Sequence, residues 1–116
     1  MDKVTFEDFE KFDFRVGRII SAREHPKADK LFILEVDLGE GATRTIVAGL
    51  RGYYSVKELE GRQAIFAANL ESATLRGVAS DGMILAATMN DNDAPHSRRV
   101  VILQPEKEIE NGSRVS

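Results

Sequence analysis

One short motif limits what this chain can fold into more than any other. Ser55-Val56-Lys57-Glu58 pairs a serine with a glutamate three residues on, the capping box that starts a helix, and Gly61 closes the turn soon after. No helical period continues beyond it, so it predicts a single helical turn. The runs around it are of another kind. Residues 14–23, 34–38 and 43–48 lie before it, and residues 62–70, 82–88 and 99–103 after it. These runs alternate with a period of two or are rich in β-branched residues, and turn residues separate them. Leu34-Glu35-Val36-Asp37-Leu38 alternates apolar and acidic, Pro105 stops the sixth run, and Asn111-Gly112 turns the chain into a short terminal strand. Many short strands predict a sandwich or a small barrel. A lone helical turn between the third and fourth selects the OB type. The expected fold is therefore all-β: a five-stranded OB barrel with short helices and extra C-terminal strands. Ala64, Ala67 and Ala68 suit a crowded barrel interior, and Gly17 suits a bulge or sharp bend in the first strand.

With 116 residues and no repeat or linker, the chain reads as one domain. Residues 1–13 form an N-terminal helix, 14–88 the barrel and 89–116 a C-terminal extension. Thr5 caps the helix, and Phe6, Phe9 and Phe12 form a stripe expected to plug against the core. Val100-Val101-Ile102-Leu103 is apolar throughout, yet five strands already close the barrel without it. The extension is therefore expected to need a second surface, which a homodimer would supply. The start, MDKVTFEDFEKFDF, is acidic and lacks the apolar stretch of a secretory signal, and no run is long enough to span a membrane. The expectation is a complete, cytoplasmic gene product with no membrane partner.

Catalytic chemistry finds little support. There is no cysteine, which removes disulfides, thiolate metal sites and a cysteine nucleophile. His25 and His96 are far apart in sequence and do not suggest a metal site. Glu35 and Asp37 are expected to face solvent. Ser80-Asp81 has no spacing to either histidine that suggests a triad, and Gly49-Leu50-Arg51-Gly52 is too short for a phosphate loop. No catalytic residue, metal or cofactor is expected. The net charge of −3 argues mildly against nucleic acid, but it is unevenly spread. Residues 15–76 carry a net +2 between acidic ends. Bases that converge in space act through their local field, not through the average.

Two segments suit such a site. Glu24-His25-Pro26-Lys27-Ala28-Asp29-Lys30-Leu31 joins the first two strands, and in OB barrels that loop borders the binding face. Pro26 stiffens it, and Lys27 and Lys30 are three apart, so both can present point charges to phosphate. Asp29 is placed to hold Lys30 or cap a local turn. In Ser80-Asp81-Gly82-Met83 a hydroxyl and an adaptable thioether stand at the barrel mouth, suited to phosphate and to a base. Arg44, Arg51 and Arg76 join the candidates by charge and position.

At these segments the sequence resembles the tRNA-binding domain found at the carboxyl end of methionyl-tRNA synthetases. The same domain occurs in free-standing structure-specific tRNA-binding proteins, in CsaA-type export chaperones and in cofactors of eukaryotic synthetase complexes. The resemblance rests on Phe9 to Asp13 leading into Arg15-Val16-Gly17-Arg18-Ile19, on His25-Pro26-Lys27-Ala28-Asp29-Lys30-Leu31, on Thr45-Ile46-Val47-Ala48-Gly49-Leu50, on Gly61 with Ala68-Asn69-Leu70 and on Ser80-Asp81-Gly82-Met83-Ile84-Leu85-Ala86-Ala87. It implies an OB barrel, usually dimeric, that binds the outer corner of tRNA by shape. The family's loop lysine falls on Lys30, its asparagine on Asn69, and its serine and methionine on Ser80 and Met83. The expected partners are tRNA, a second copy and a methionyl-tRNA synthetase assisted in trans. The alternative is a CsaA-like chaperone that binds extended peptides. The acidic balance departs from the strongly basic members, whereas the complete Ala28-Asp29-Lys30-Leu31 loop favours tRNA.

Overall fold

The longest strand, β1 (Phe14–Glu24), changes partners halfway. In the computed structural model, which describes residues 1–90 and 98–116, its first half pairs with β4 (Gln63–Ala67), from Phe14 opposite Ala67 to Arg18 opposite Gln63. Its second half pairs with β2 (Phe32–Asp37), from Arg18 opposite Asp37 to Glu24 opposite Phe32. The register slips between Ile19 and Ser21, a bulge that turns the strand from one partner to the other. The bend expected at Gly17 therefore lies a few residues further on. Gly17 instead makes room for packing, since a Cβ there would lie 2.6 Å from Leu38 Cδ2 and 3.0 Å from the Phe66 ring. Its missing side chain leaves room for Leu38 and the buried Phe66 ring.

β3 (Thr43–Ala48) pairs with β2, and β7 (Met83–Ile84) pairs with β4. The seam between β3 and the approach to β7 is closed by the Asp81 N–H, which donates to the Thr45 carbonyl at 2.8 Å. β1, β2, β3, β4 and β7 thus make a nearly closed antiparallel barrel, the expected OB-like, all-β fold. Ile19, Leu34, Val36, Ile46 and Phe66 fill it and are fully buried. The capping box is complete: the Ser55 hydroxyl accepts from Glu58 N–H and the Glu58 carboxylate accepts from Ser55 N–H. That turn, α2 (Val56–Leu59), buries Leu59 in the same core.

Beyond the first barrel strands, the strand plan differs from the sequence-based expectation in three places. Residues 82–88 split, because β7 stays with the barrel while β8 (Ala86–Met89) leaves it to pair with β9 (Arg99–Ile102). A hairpin, β5 (Ala73–Leu75) and β6 (Val78–Ser80), occupies what reads in the sequence as a connection. Its turn is Arg76-Gly77 with φ of +52° and +89°, the primed geometry that matches strand twist. Finally, β9 folds back on its own chain. Ile102 is buried in the barrel core and Val100 packs against it, while Val101 and Leu103 face out. Alternate residues of the apolar run are therefore used within one chain, so the run by itself no longer calls for a partner.

Both ends are stitched to β1. β10 (Arg114–Val115) pairs with Phe14 and Arg15, and the Gly112 N–H donates to the Val16 carbonyl at 2.7 Å. α1 (Phe6–Glu10) has the predicted Thr5 cap but buries no residue. The expected aromatic plug does not form, since the barrel is already filled from within. Phe9 and Phe12 lie instead against Phe14, with ring centroids 6.0 and 5.3 Å away, and Phe6 remains 72% exposed. Among the described residues no helix is long and apolar enough to cross a membrane.

Candidate nucleic-acid interface

The loop between β1 and β2 is short and closed. The His25 N–H donates to the Leu31 carbonyl at 3.0 Å, and Ala28 at the loop's centre is turned inward. Lys27 and Lys30 stand on either side of Ala28 and are exposed. Among the described residues neither has a carboxylate within ion-pair distance, and Asp29 does not hold Lys30. Arg51 acts as a strut under the loop. Its guanidinium donates to the Ala28 carbonyl at 3.2 Å and pairs with Glu24 at 2.8 Å, and its N–H reaches the Lys30 carbonyl. Arg76 is exposed at the tip of the β5–β6 hairpin, in the left-handed region that a side chain with a Cβ enters at some cost. It too lacks an ion-pair partner among the described residues. In an OB barrel these are the first and last inter-strand loops, the two that carry binding residues.

A second group of cations is spent on the protein itself. Arg44 forks onto Glu40 at 2.9 and 2.8 Å, donates to the Ala68 carbonyl and lies 3.8 Å from Asp81. Arg15 rests on Asp13 at 2.9 and 3.0 Å. The hydrogen bond and charge of Arg44 hold the Glu40 carboxyl below its ordinary range, against the effect of burial. The same bonds raise Arg44 and Arg15 above theirs.

Two candidates from the resemblance also serve the fold. Asn69 accepts from the Asp13 N–H at 2.8 Å and donates to the Lys11 carbonyl, fixing the entry to β1. Ser80 is 4% exposed, and its hydroxyl accepts from the Val47 N–H at 2.9 Å while donating to the Gly82 carbonyl at 3.0 Å. That hydroxyl closes the barrel and is turned away from solvent. Met83 is 48% exposed, on the rim of a groove of about 700 Å³ that Leu70, Leu75, Val100 and Leu103 also line. The structure thus brings Lys27, Lys30 and Arg76 to one mouth, with Arg51 beneath. Arg44, Asn69 and Ser80 each make hydrogen bonds within the fold, with Asn69 still exposed. Of the two histidines, His96 lies outside the described residues. His25 is buried and engaged at both ring nitrogens, a role that spacing alone does not suggest.

By architecture this is an OB-like barrel, the class whose first and last loops border oligonucleotide or oligosaccharide sites, and here two lysines stand on the first. More particularly, the chain belongs to the tRNA-binding domain family: residues 14–114 match the family described as "Putative tRNA binding domain". It is 50% identical to a methionine–tRNA ligase of Pyrococcus horikoshii over 99% of its length, which is 15% of that protein. The chain therefore spans less than a sixth of that relative. Two solved structures match it end to end. A MetRS related protein from Pyrococcus horikoshii is 33% identical with a TM-score of 0.86, and the two chains cover each other fully. The chaperone CsaA from Bacillus anthracis is 29% identical with a TM-score of 0.83, over 99% of this chain and all of that one.

Proposed function

We propose that this protein grips tRNA by its backbone at the loop end of the barrel, reading shape and not base edges. One observation carries the reading: Lys27 and Lys30 project, with no ion-pair partner among the described residues, from a loop hydrogen-bonded beneath them. The protein is not itself an enzyme. It acts in the cytoplasm as a homodimer and assists a methionyl-tRNA synthetase in trans. The MetRS related chain of equal extent supports an independent domain of this kind. The exposed Phe6, Phe9, Val101 and Leu103 offer apolar surface for a second copy, and light scattering at micromolar concentration checks it. The decisive experiment is a salt titration of binding to total tRNA beside duplex DNA of matched charge. Log affinity should fall linearly with log salt, with a slope of about −0.7 to −0.9 per phosphate contact, and tRNA should be preferred. Salt-independent binding, or none, ends this reading.

A second reading has its own support. The groove beside Met83 is rimmed by Leu70, Leu75 and Leu103, each more than a third exposed, and an extended apolar peptide fits such a surface. Peptide binding there would change little with salt.

A further inference from the structure

His25 is the one buried titratable side chain among the described residues that neither forms an ion pair nor lies at the barrel seam. Its ring bridges two segments that are distant in sequence. Nδ1 accepts from the Lys27 N–H at 3.0 Å. That bond leaves the proton on Nε2, which donates to the Leu75 carbonyl at 3.1 Å. Lys27 is one of the loop cations. Leu75 is the last residue of β5, directly before Arg76. A single neutral imidazole therefore holds the lysine loop and the arginine hairpin at a fixed separation. Arg76 itself sits at the tip in the left-handed conformation that a two-residue primed turn requires, one residue beyond the pinned Leu75 carbonyl.

We propose that His25 is the positioning residue of the binding site, and that through it Lys27, Lys30 and Arg76 act as one phosphate-binding set. This rests on the tRNA reading above. Phosphates on a folded RNA are fixed in space, so cations on two independent loops would lose affinity to their own motion. Tying the loops together in advance removes that loss. The ring touches no ligand; it sets the distance between groups that do.

Two substitutions separate its two bonds. The longer amide of His25→Gln can still donate from the Nε2 position to Leu75. The shorter amide of His25→Asn can still accept from Lys27 but falls short of the hairpin. Affinity for total tRNA, salt slope and thermal unfolding are measured for both and for Arg76→Ala. In the parent, Arg76→Ala should weaken binding about 5–10-fold and lower the magnitude of the salt slope by nearly one. His25→Gln should stay within about threefold of the parent. His25→Asn should lose about tenfold and lower the slope similarly, and adding Arg76→Ala to it should cost little more. The idea is overturned if Arg76→Ala leaves affinity and slope unchanged, a result that does not depend on any His25 variant folding. It is also overturned if the Asn and Gln variants lose affinity equally, or if the losses of His25→Asn and Arg76→Ala multiply in full. Nitrogen shifts of the imidazole, read without RNA, should show the Nε2–H tautomer; the other tautomer overturns the bridge whatever the RNA does. Failure of the parent to bind tRNA, with the Nε2–H tautomer present, refutes the tRNA reading and this use of the bridge, while leaving the bridge itself intact.

Discussion

Two groups of cations lie on this barrel, and they differ in what surrounds them. Around β3 and the start of β1, Arg44 and Arg15 are matched by Glu40, Asp81 and Asp13, and their side chains are fixed. At the loop end, Lys27 and Lys30 have no such partners among the described residues, and the order is in the backbone under them. A cation already paired offers little net field to a ligand, and moving it breaks bonds it has. An unpaired lysine on a rigid loop keeps its charge for whatever arrives. A chain of net charge −3 can in this way still present local positive charge, because Arg51 engages Glu24 beneath the loop while the two lysines stand outside the ion pairs of the described residues.

The sharpest way to break this contrast is to remove both lysines. Lys27→Ala with Lys30→Ala should cost about 3 kcal/mol of tRNA affinity, over a hundredfold, and reduce the salt slope by nearly two, with melting unchanged. Unchanged affinity at physiological salt would move the site elsewhere. Ser80→Ala comes next and should act on stability instead. It strands the buried Val47 N–H, at a cost of about 1–3 kcal/mol by denaturant unfolding, while the folded fraction binds tRNA within twofold of the parent. Lost affinity at constant stability would show that the hydroxyl meets the ligand after all. Met83→Ala should cost under about 1 kcal/mol of stability, because the side chain is about half exposed. If it weakens an apolar peptide and spares tRNA, the groove and the loop are separate sites; equal loss of both would merge them. The smallest effect belongs to Glu40. Its carboxyl titrates lower folded than unfolded, so its contribution is present above the unfolded value of about 4.3 and fades as pH falls through the folded one. Glu40→Gln should therefore lower stability at pH 7 by on the order of 0.5 kcal/mol or less, and by progressively less as pH falls below the unfolded value, where the parent's own contribution fades.

The barrel is legible in the sequence because its signals are local. A capping box, alternating runs and glycines each report on a few neighbouring residues, and together they place the helical turn correctly. The local pattern puts the bend of β1 at Gly17, yet the bulge is at Ile19–Ser21 and the glycine answers to Phe66, nearly fifty positions away. Such packing leaves no mark in a local pattern. The site divides in the same way. Lys27 and Lys30 are readable as an exposed loop pair. The commitment of Ser80 to Val47, of Arg44 to Ala68 and of Asn69 to Asp13 arises only when the chain closes on itself. His25 is masked for the same reason, since Leu75 meets it only through a hairpin that no run of neighbouring residues announces.

The pairing of β10 with the start of β1 sets an order on how the fold is completed. Phe14 waits for Val115, and Val16 for Gly112 and Ser113. While the chain is being synthesised, the first part of β1 can take β4 on one side, but its other edge stays bare until residues 112–115 follow. Contacts so distant in sequence are slow to form, and a bare strand edge invites pairing with other chains. Clones cut a few residues short of Val115 would lose hardly any core yet keep that edge open for good, and they should yield inclusion bodies more readily than their nearly intact core would suggest.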